Sequence, residues 1–579
     1  MLPAVWDYIV VGGGLAGTTL SSRLHGYNSS LQILLIEAGG DASHDPSILY
    51  ENSTNLVQGT YDWAYLTTEQ ENLNNRHILA PAGRCLGGGT AINGCEWMRG
   101  DATDYNDWAD MVNDDRWGYD NMLQYIKKSE QWFSTQDETE HGQDGAIFVS
   151  SPQYENRTYP LTSDLRESWQ QLGVPVRRNE DTNAGNNVGL GQLNQNRIRG
   201  ARQVANTKYP LDGVTVLTHT WVQSVIVDGD GNTPTATGVL LANGTEYQAR
   251  EVIVSGGSYR SPQILMLSGI GPRALLEKHN GECWLITVKS DQSQVGRNFL
   301  DHFQFDQNWK LVDPSKGYAI GSGNHLFSEP QYSWGAHIPF TVSNPVPAAG
   351  IAAAITADEG TAPDPNTNFY LRNVQAMNEN NVGFAAHTTL GDGVHIDGTH
   401  IASTIVGLKP SSRGSITISS ARIENGPVID PNYYATELDK YSWRTGLRNI
   451  TQLMLGNTTF GRGIITSETP PEGFEPMTLD STDEYLDSRI AHGAFSTYHP
   501  MGSCSMGKVV DTDLRVIGVN GLRVVDASII PIPFGAHLQS PTYALAEHAA
   551  AIIAGISSDL KSDVSSIMDG PLKPVLPSN

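Results

Sequence analysis

The opening of the chain restricts its fold more than any other stretch. In "WDYIVVGGGLAGTTLSSRL" (6–24), an apolar, β-branched run from Tyr8 to Val11 meets a glycine turn. Leu20 and Leu24 then recur at helical spacing. Gly12, Gly14 and Gly17 fit the pattern G-x-G-x-x-G, with Leu15 and Ala16 inside the turn. The first glycine permits the tight turn. The second lets backbone approach a pyrophosphate, and the third lets the helix pack closely on the strand. A helix that starts there offers free N–H groups and a positive dipole end to phosphate. "LQILLIEAGG" (31–40) reads as a buried second strand ending at Glu37, 20 residues beyond Gly17. An acid at that place accepts hydrogen bonds from an adenosine ribose. A fingerprint alone means little in a chain with 59 glycines. Strand, turn, helix, strand and acid within about thirty residues together predict a dinucleotide-binding α/β lobe. They do not separate FAD from a nicotinamide.

A chain of 579 residues exceeds one ordinary core, so two or more lobes are expected. A formal charge of −25 repels nucleic acid and anionic lipid, and neither is an expected partner. No apolar run reaches the ~20 residues of a membrane helix. Cys85, Cys95, Cys283 and Cys504 form no C-x-x-C pair and no zinc spacing, so no metal site is expected. They read as buried small residues, with one disulfide left open. The amino terminus carries no basic and apolar leader, which leaves an intracellular chain or one whose signal has been removed. Sequons at Asn28, Asn52, Asn156, Asn243, Asn449 and Asn457 carry little weight in so asparagine-rich a chain.

A second glycine-rich stretch, "PAGRCLGGGTAINGCEWMRG" (81–100), interleaves Ile92, Trp97 and Met98, which a solvated linker would not need. It suits a backbone laid against a flat ligand. After it come "SGGSYRSPQILMLSGIGP" (255–272), "VGRNFLDH" (295–302), "SSRGSITISS" with "PVIDPNYY" (411–434), "HPMGSCSMG" (499–507) and "GLRVVDASIIPIPFGAHLQSPTYALAEHAA" (521–550). In this order the segments resemble the signatures of the glucose–methanol–choline (GMC) oxidoreductases, and the resemblance covers nearly the whole chain.

The resemblance implies FAD and a Rossmann-like α/β FAD-binding domain with a parallel sheet. It also implies a substrate domain on a mostly antiparallel sheet with helices. The first is expected over 1–304 and 488–579, the second over 305–487. Strand-like runs at 399–410 and 414–420, set between Pro- and Gly-bearing turns, and a capped helix at 481–490 agree with that texture. Carried over position by position, Gly12, Gly14, Leu15, Ala16 and Gly17 match the pyrophosphate turn, and Glu37 and Ala38 the ribose end. Asn93, Gly94, Cys95 and Glu96 match the stretch that passes the flavin ring, and Val222 the backbone contact to adenine. Asp526, Ala527, Leu538 and Gln539 match the late flavin contacts. Some members attach FAD through a histidine near the 90s segment. Here Ala91, Ile92 and Asn93 stand there, so FAD is expected to be non-covalent.

In the family a histidine at the position of His499 faces the flavin N5, and a His or Asn some forty residues on is here His537. Oxidising an alcohol removes a hydroxyl proton and a hydride from the same carbon. An imidazole with a pKa near ~6.5 suits the proton, and a second imidazole can hold the substrate oxygen in line. His499 is therefore assigned as base and His537 as its hydrogen-bonding partner. Pro500 is expected to stiffen the backbone beside His499. His302, His492 and His548 read as structural. Ser540 and Pro541 are expected at the N-cap and first position of a helix behind His537. Trp97, Tyr498 and Phe534 predict an aromatic-lined pocket, with core packing as the plain alternative. The implied partners are a small-molecule alcohol, aryl or of secondary-metabolite type, and O2 or a quinone as electron acceptor. FAD-containing relatives that perform no net oxidation, cyclases or lyases, stay open as an alternative. Secretion is expected from the resemblance.

Overall fold

In the computed structural model, residues 4–50, 56–134, 139–229, 233–279 and 286–556 are described. The opening segment folds as its pattern requires. Trp6–Val11 and Ile33–Ile36 are parallel strands joined by the helix Leu15–Tyr27. All four residues of Ile33–Ile36 are buried, as in a parallel strand covered on both faces. Gly12 makes the turn with φ +105°, and a Cβ there would lie 2.4 Å from the Ser255 carbonyl oxygen. Only glycine fits that position.

The first sheet runs Thr215–Leu217, Ile33–Ile36, Trp6–Val11, Glu246–Val254, Thr235–Leu241, Val222–Asp228. The first four strands are mutually parallel. Glu246–Val254 pairs antiparallel with Thr235–Leu241 at its beginning and parallel with Leu522–Val524 at its end. The carboxy-terminal region thus completes the amino-terminal sheet.

The second sheet runs Ile465–Thr469, Phe303–Leu311, His400–Gly407, Asn378–Gly383, Phe340–Asn344, Gly189–Gln192, and its pairings are antiparallel. Alternation along Phe303–Leu311 sends Phe303, Phe305 and Trp309 into a core shared with the helix Glu437–Leu455. There Phe303 stacks on Trp443 at 4.3 Å between ring centroids. Gln304, Asp306 and Asn308 point to the opposite face.

The strands expected at 399–410 and 414–420 are His400–Gly407 and Ser415–Thr417, and the helix expected at 481–490 is Asp483–Gly493, capped by Thr482. The second sheet also draws on earlier residues. Gly189–Gln192 pairs with it at Phe340, and the helix Thr162–Gln171 adds Leu165 and Trp169 to its core. The substrate-side layer therefore reaches back across residue 304, because pairing follows sheet edges and not chain order.

The helix behind His537 spans Gln539–Ala554 with Leu538 at its N-cap and no side-chain cap. Ser540 is therefore not the cap, and Pro541 is the third helical residue. Proline is tolerated there because N–H groups of the first turn have no intrahelical partner. Among the described residues no helix is long and apolar enough to cross a membrane. Cys85, Cys95 and Cys504 are free and buried, while Cys283 and Asn52 lie outside the described residues.

Candidate active site

Both sheets border one cavity of about 1520 Å³. That exceeds the roughly 300–1,000 Å³ of an ordinary small-molecule site. Of the sixteen cofactor positions expected from sequence, all but Gly17 border it. Gly17 lies beneath the turn, where a Cβ would come within 2.0 Å of the Gly12 carbonyl oxygen, so its part is helix packing. At Gly14 a Cβ would meet nothing nearer than Gly88 Cα at 3.9 Å, which leaves the helix start open to a ligand. Gly88, from the second glycine run, has φ +53° and leaves no room for a Cβ against Gly14. The two glycine runs therefore meet backbone to backbone at the cavity wall.

Buried Glu37 accepts the Gly13 N–H on Oε2 and the Gly39 N–H on Oε1, both at 2.8 Å. Burial raises its pKa and these N–H groups oppose the rise. Asp526 accepts the Gly257 and Ser528 N–H groups at 2.9 and 2.8 Å. Asn93 Nδ2 donates to Gln539 Oε1 at 3.1 Å, and Gln539 Nε2 donates to the Glu96 carbonyl at 3.2 Å. The 90s segment is thereby tied to the start of the last helix. An open glycine turn at a helix N-terminus, an acid at the next strand end and a backbone-lined slot fit FAD.

His499 and His537 come together, with ring centroids 4.7 Å apart. Both border the cavity. His499 Nδ1 lies 3.1 Å from His302 Nδ1. Burial, with the neighbouring His537 and His302, holds the His499 pKa well below its ordinary value. Burial likewise takes His302 down to about 3. His537 is the opposite case. Burial alone would lower its pKa, but Glu379 and Glu96 outweigh it and lift the imidazole to about 9. Nδ1 lies 3.1 Å from Glu96 Oε2, and Nε2 lies 3.1 and 3.2 Å from the two Glu379 oxygens. As an imidazolium it donates Nε2–H to Glu379, while Nδ1 faces Glu96 as an ion pair. Its fixed charge adds to the hydrogen-bonding part expected of it.

The backbone at His499 is clamped. Asp301 Oδ1 accepts the His499 N–H at 2.9 Å, and Oδ2 accepts the Ser496 hydroxyl at 2.6 Å and the Tyr433 hydroxyl. The Pro500 carbonyl accepts the Ser258 hydroxyl at 2.7 Å. Tyr498, just before His499, has φ +66°, a conformation few non-glycine residues adopt.

By sequence His302 reads as structural and neither Asp301 nor Glu379 is picked out, whereas His302 faces His499. The first two sit in "VGRNFLDH", whose motif character was the available signal. Glu379 carried none, since its role depends on strand register. His548 is packing as expected, stacked on Tyr125 at 4.5 Å, and His492 lies against Phe474. The aromatic pocket needs correction. Trp97 is buried against Tyr543, and Phe534 meets Tyr105 edge-on at 4.8 Å. Neither borders the cavity; Tyr498 does. Glu96, Glu379 and His537 also lie close enough to be weighed as metal ligands. The two carboxylates face different ring nitrogens of His537, the arrangement of an ion triad.

Comparison with known proteins agrees with this geometry. The GMC oxidoreductase family models match residues 6–304 and 410–546. The GMC-type oxidoreductase acuG of Aspergillus aculeatus is 38% identical over 94% of this chain and 98% of its own. An oxygen-dependent choline dehydrogenase of Pseudomonas fluorescens is 32% identical over 95% and 94%. A formate oxidase structure from Aspergillus oryzae superposes with a TM-score of 0.82 at 25% identity, covering 97% of this chain and 100% of that one. A fungal aryl-alcohol oxidase, 22% identical with a TM-score of 0.79 over 96% and 99%, shares the fold. The chain belongs to the GMC oxidoreductase family and is an FAD-binding oxidoreductase.

Proposed function

We propose that this enzyme oxidises an alcohol with His499 as the proton acceptor. The observation that carries the reading is the imidazole pair at the cavity wall, ring centroids 4.7 Å apart, with a third imidazole facing His499 and two carboxylates facing His537. Bound FAD supplies the two-electron acceptor. The glycine turn at Gly12 and Gly14 and the acid Glu37 hold its pyrophosphate and ribose, and no histidine among residues 91–93 is there to attach it covalently.

Base action follows from one tautomer. His499 donates Nδ1–H to the neutral His302 Nδ1, and Nε2 keeps its lone pair for the hydroxyl proton of the substrate. A depressed pKa keeps that lone pair free at neutral pH. As the proton leaves, negative charge grows on the substrate oxygen, and the fixed cation at His537 stabilises it. The carboxylates of Glu96 and Glu379 keep that cation in place and oriented.

Within this class we read the substrate as a secondary-metabolite alcohol, of the kind a patulin-synthase-like step consumes. Trp97 and Phe534 lend an aryl substrate no support, but Phe305, Phe495 and Tyr498 border the cavity and keep that reading beside it. O2 or a quinone returns the enzyme to its oxidised state, and the protein is exported. Four sequon asparagines, Asn28, Asn156, Asn243 and Asn457, are exposed and open to glycosylation. Anaerobic mixing with candidate alcohols tests the redox reading. The yellow of the oxidised flavin should bleach as carbonyl product appears. Substrate consumed with the flavin oxidised throughout would place the enzyme with the cyclases or lyases instead.

A further inference from the structure

The wall of the cavity formed by the second sheet is polar, and strand register arranges it in rows. Gln304 pairs with Val406, and Val406 with Glu379. Asp306 pairs with Thr404, and Thr404 with Asn381. The first row ends on Glu379, the partner of His537. The second row is two residues further along each strand, roughly 7 Å away at ~3.3–3.4 Å per residue. Asp306, Thr404 and Asn381 all border the cavity.

The second row is rich in acceptors. Asp306 is 7% exposed. Its Oδ1 accepts the Thr404 hydroxyl at 2.7 Å and the Gln304 amide at 3.3 Å. Its Oδ2 has the Gln304 amide at 3.4 Å and His387 Nε2 at 3.8 Å. Among the described residues no lysine or arginine forms an ion pair with Asp306. Asn381, 4% exposed, commits Nδ2 to Glu379 Oε1 at 2.7 Å, and its Oδ1 has no partner. A buried carboxylate facing no fixed cation, in one row with an unpaired amide oxygen on the far side of Thr404, is costly unless a ligand donates to it.

We propose that Asp306, Thr404 and Asn381 bind a hydrogen-bond donor on the substrate, a hydroxyl or a protonated amine, on the row roughly 7 Å along the strands from the one that ends at Glu379. The proposal rests on the alcohol-oxidation reading and narrows it to bifunctional alcohols. Asp306 is the specificity-determining residue, and Thr404 positions it by donating to Oδ1.

The test uses FAD-loaded enzyme with n-hexanol, its α,ω-diol and its ω-amino alcohol. Each is titrated by calorimetry and mixed anaerobically to follow bleaching. The diol or the amino alcohol should bind about tenfold more tightly than hexanol, with a similar gain in kcat/KM. The better of the two identifies a hydroxyl or an ammonium as the donor. Asp306→Ala should bring the three affinities together. Asp306→Asn should keep part of a diol preference and lose an amino-alcohol preference, and Thr404→Val should weaken either. Flavin content and melting temperature report whether each variant has folded. Equal affinities in the wild type, or a preference that survives Asp306→Ala, would overturn the proposal. Should none of the three alcohols bleach the flavin, these chains are not oxidised, and the calorimetric preference still decides the role of the row.

Discussion

Neighbours, and not the imidazoles themselves, set the division of labour between His499 and His537. Burial, and then the cation at His537 and the imidazole of His302, disfavour a proton on His499. His537 lies between two carboxylates, so a proton there is favoured. The sign for His537 is that of a base whose folded pKa, about 9, exceeds an unfolded value near ~6.5. Its ion triad contributes stability in full below the unfolded pKa and loses it as pH rises through about 9. The rate of flavin reduction should fall over the same alkaline range. Glu379→Gln should move that limb to lower pH with FAD still bound, as a pH profile of kcat/KM would record. On the acid side, His499 takes up its proton only well below its usual range, so activity should persist to pH values under ~6.5. The glycines, Glu37 and both histidines were legible in the sequence because each sits in a short motif with one physical reason. Glu379 was not, because its meeting with His537 depends on pairing between strands far apart in the chain.

The segment 496–502 is held as a unit by the start of the strand Phe303–Leu311. Leu300 and Met501 exchange backbone hydrogen bonds at 2.9 and 2.8 Å, and Asp301 gathers the His499 N–H with two hydroxyls. Burial raises Asp301 to about 6, against the pull of those donors. Replacing it by alanine leaves buried donors unpaired, at a cost of roughly 1–3 kcal/mol. Asp301→Ala should lower the melting temperature and reduce kcat more than it changes KM, because the base is mispositioned while the pocket stays. An unchanged kcat would show that Pro500 and its neighbours fix His499 unaided. The sequence pointed to a stiffened backbone at Pro500 but not to this clamp, which links residues 198 positions apart. The same limit explains the last helix. Its existence and place behind His537 were legible, whereas its start was not, since Leu538 caps it by backbone conformation alone.

Two seven-stranded sheets border one cavity, and chain order does not respect the division. Leu522–Val524 completes the first sheet from the far end, and Gly189–Gln192 extends the second from the near end. The ordered motifs made the two layers legible but not their edges, because a strand's partner is chosen in space. Two of the aromatic residues expected in the pocket are misplaced for a related reason. Trp97 and Phe534 are neighbours of cavity residues in sequence, yet their side chains turn into the core. Because the cofactor site is built by residues from 12 to 539, FAD should hold the two ends of the chain together. Removing it should lower the unfolding temperature of the entire protein in one transition. At a hundredfold excess over Kd the cofactor contributes roughly 2.7 kcal/mol. Calorimetric scans of the stripped and reloaded protein measure the difference, and identical scans would separate folding from cofactor binding.

Anaerobic stopped-flow reduction of the bound flavin by a saturating alcohol, in wild type and in His499→Ala, asks whether this imidazole takes the proton. The variant should keep its FAD and its visible spectrum and be reduced roughly a hundredfold to ten-thousandfold more slowly. Reduction of His499→Ala at the wild-type rate would contradict the assignment of His499 as the base.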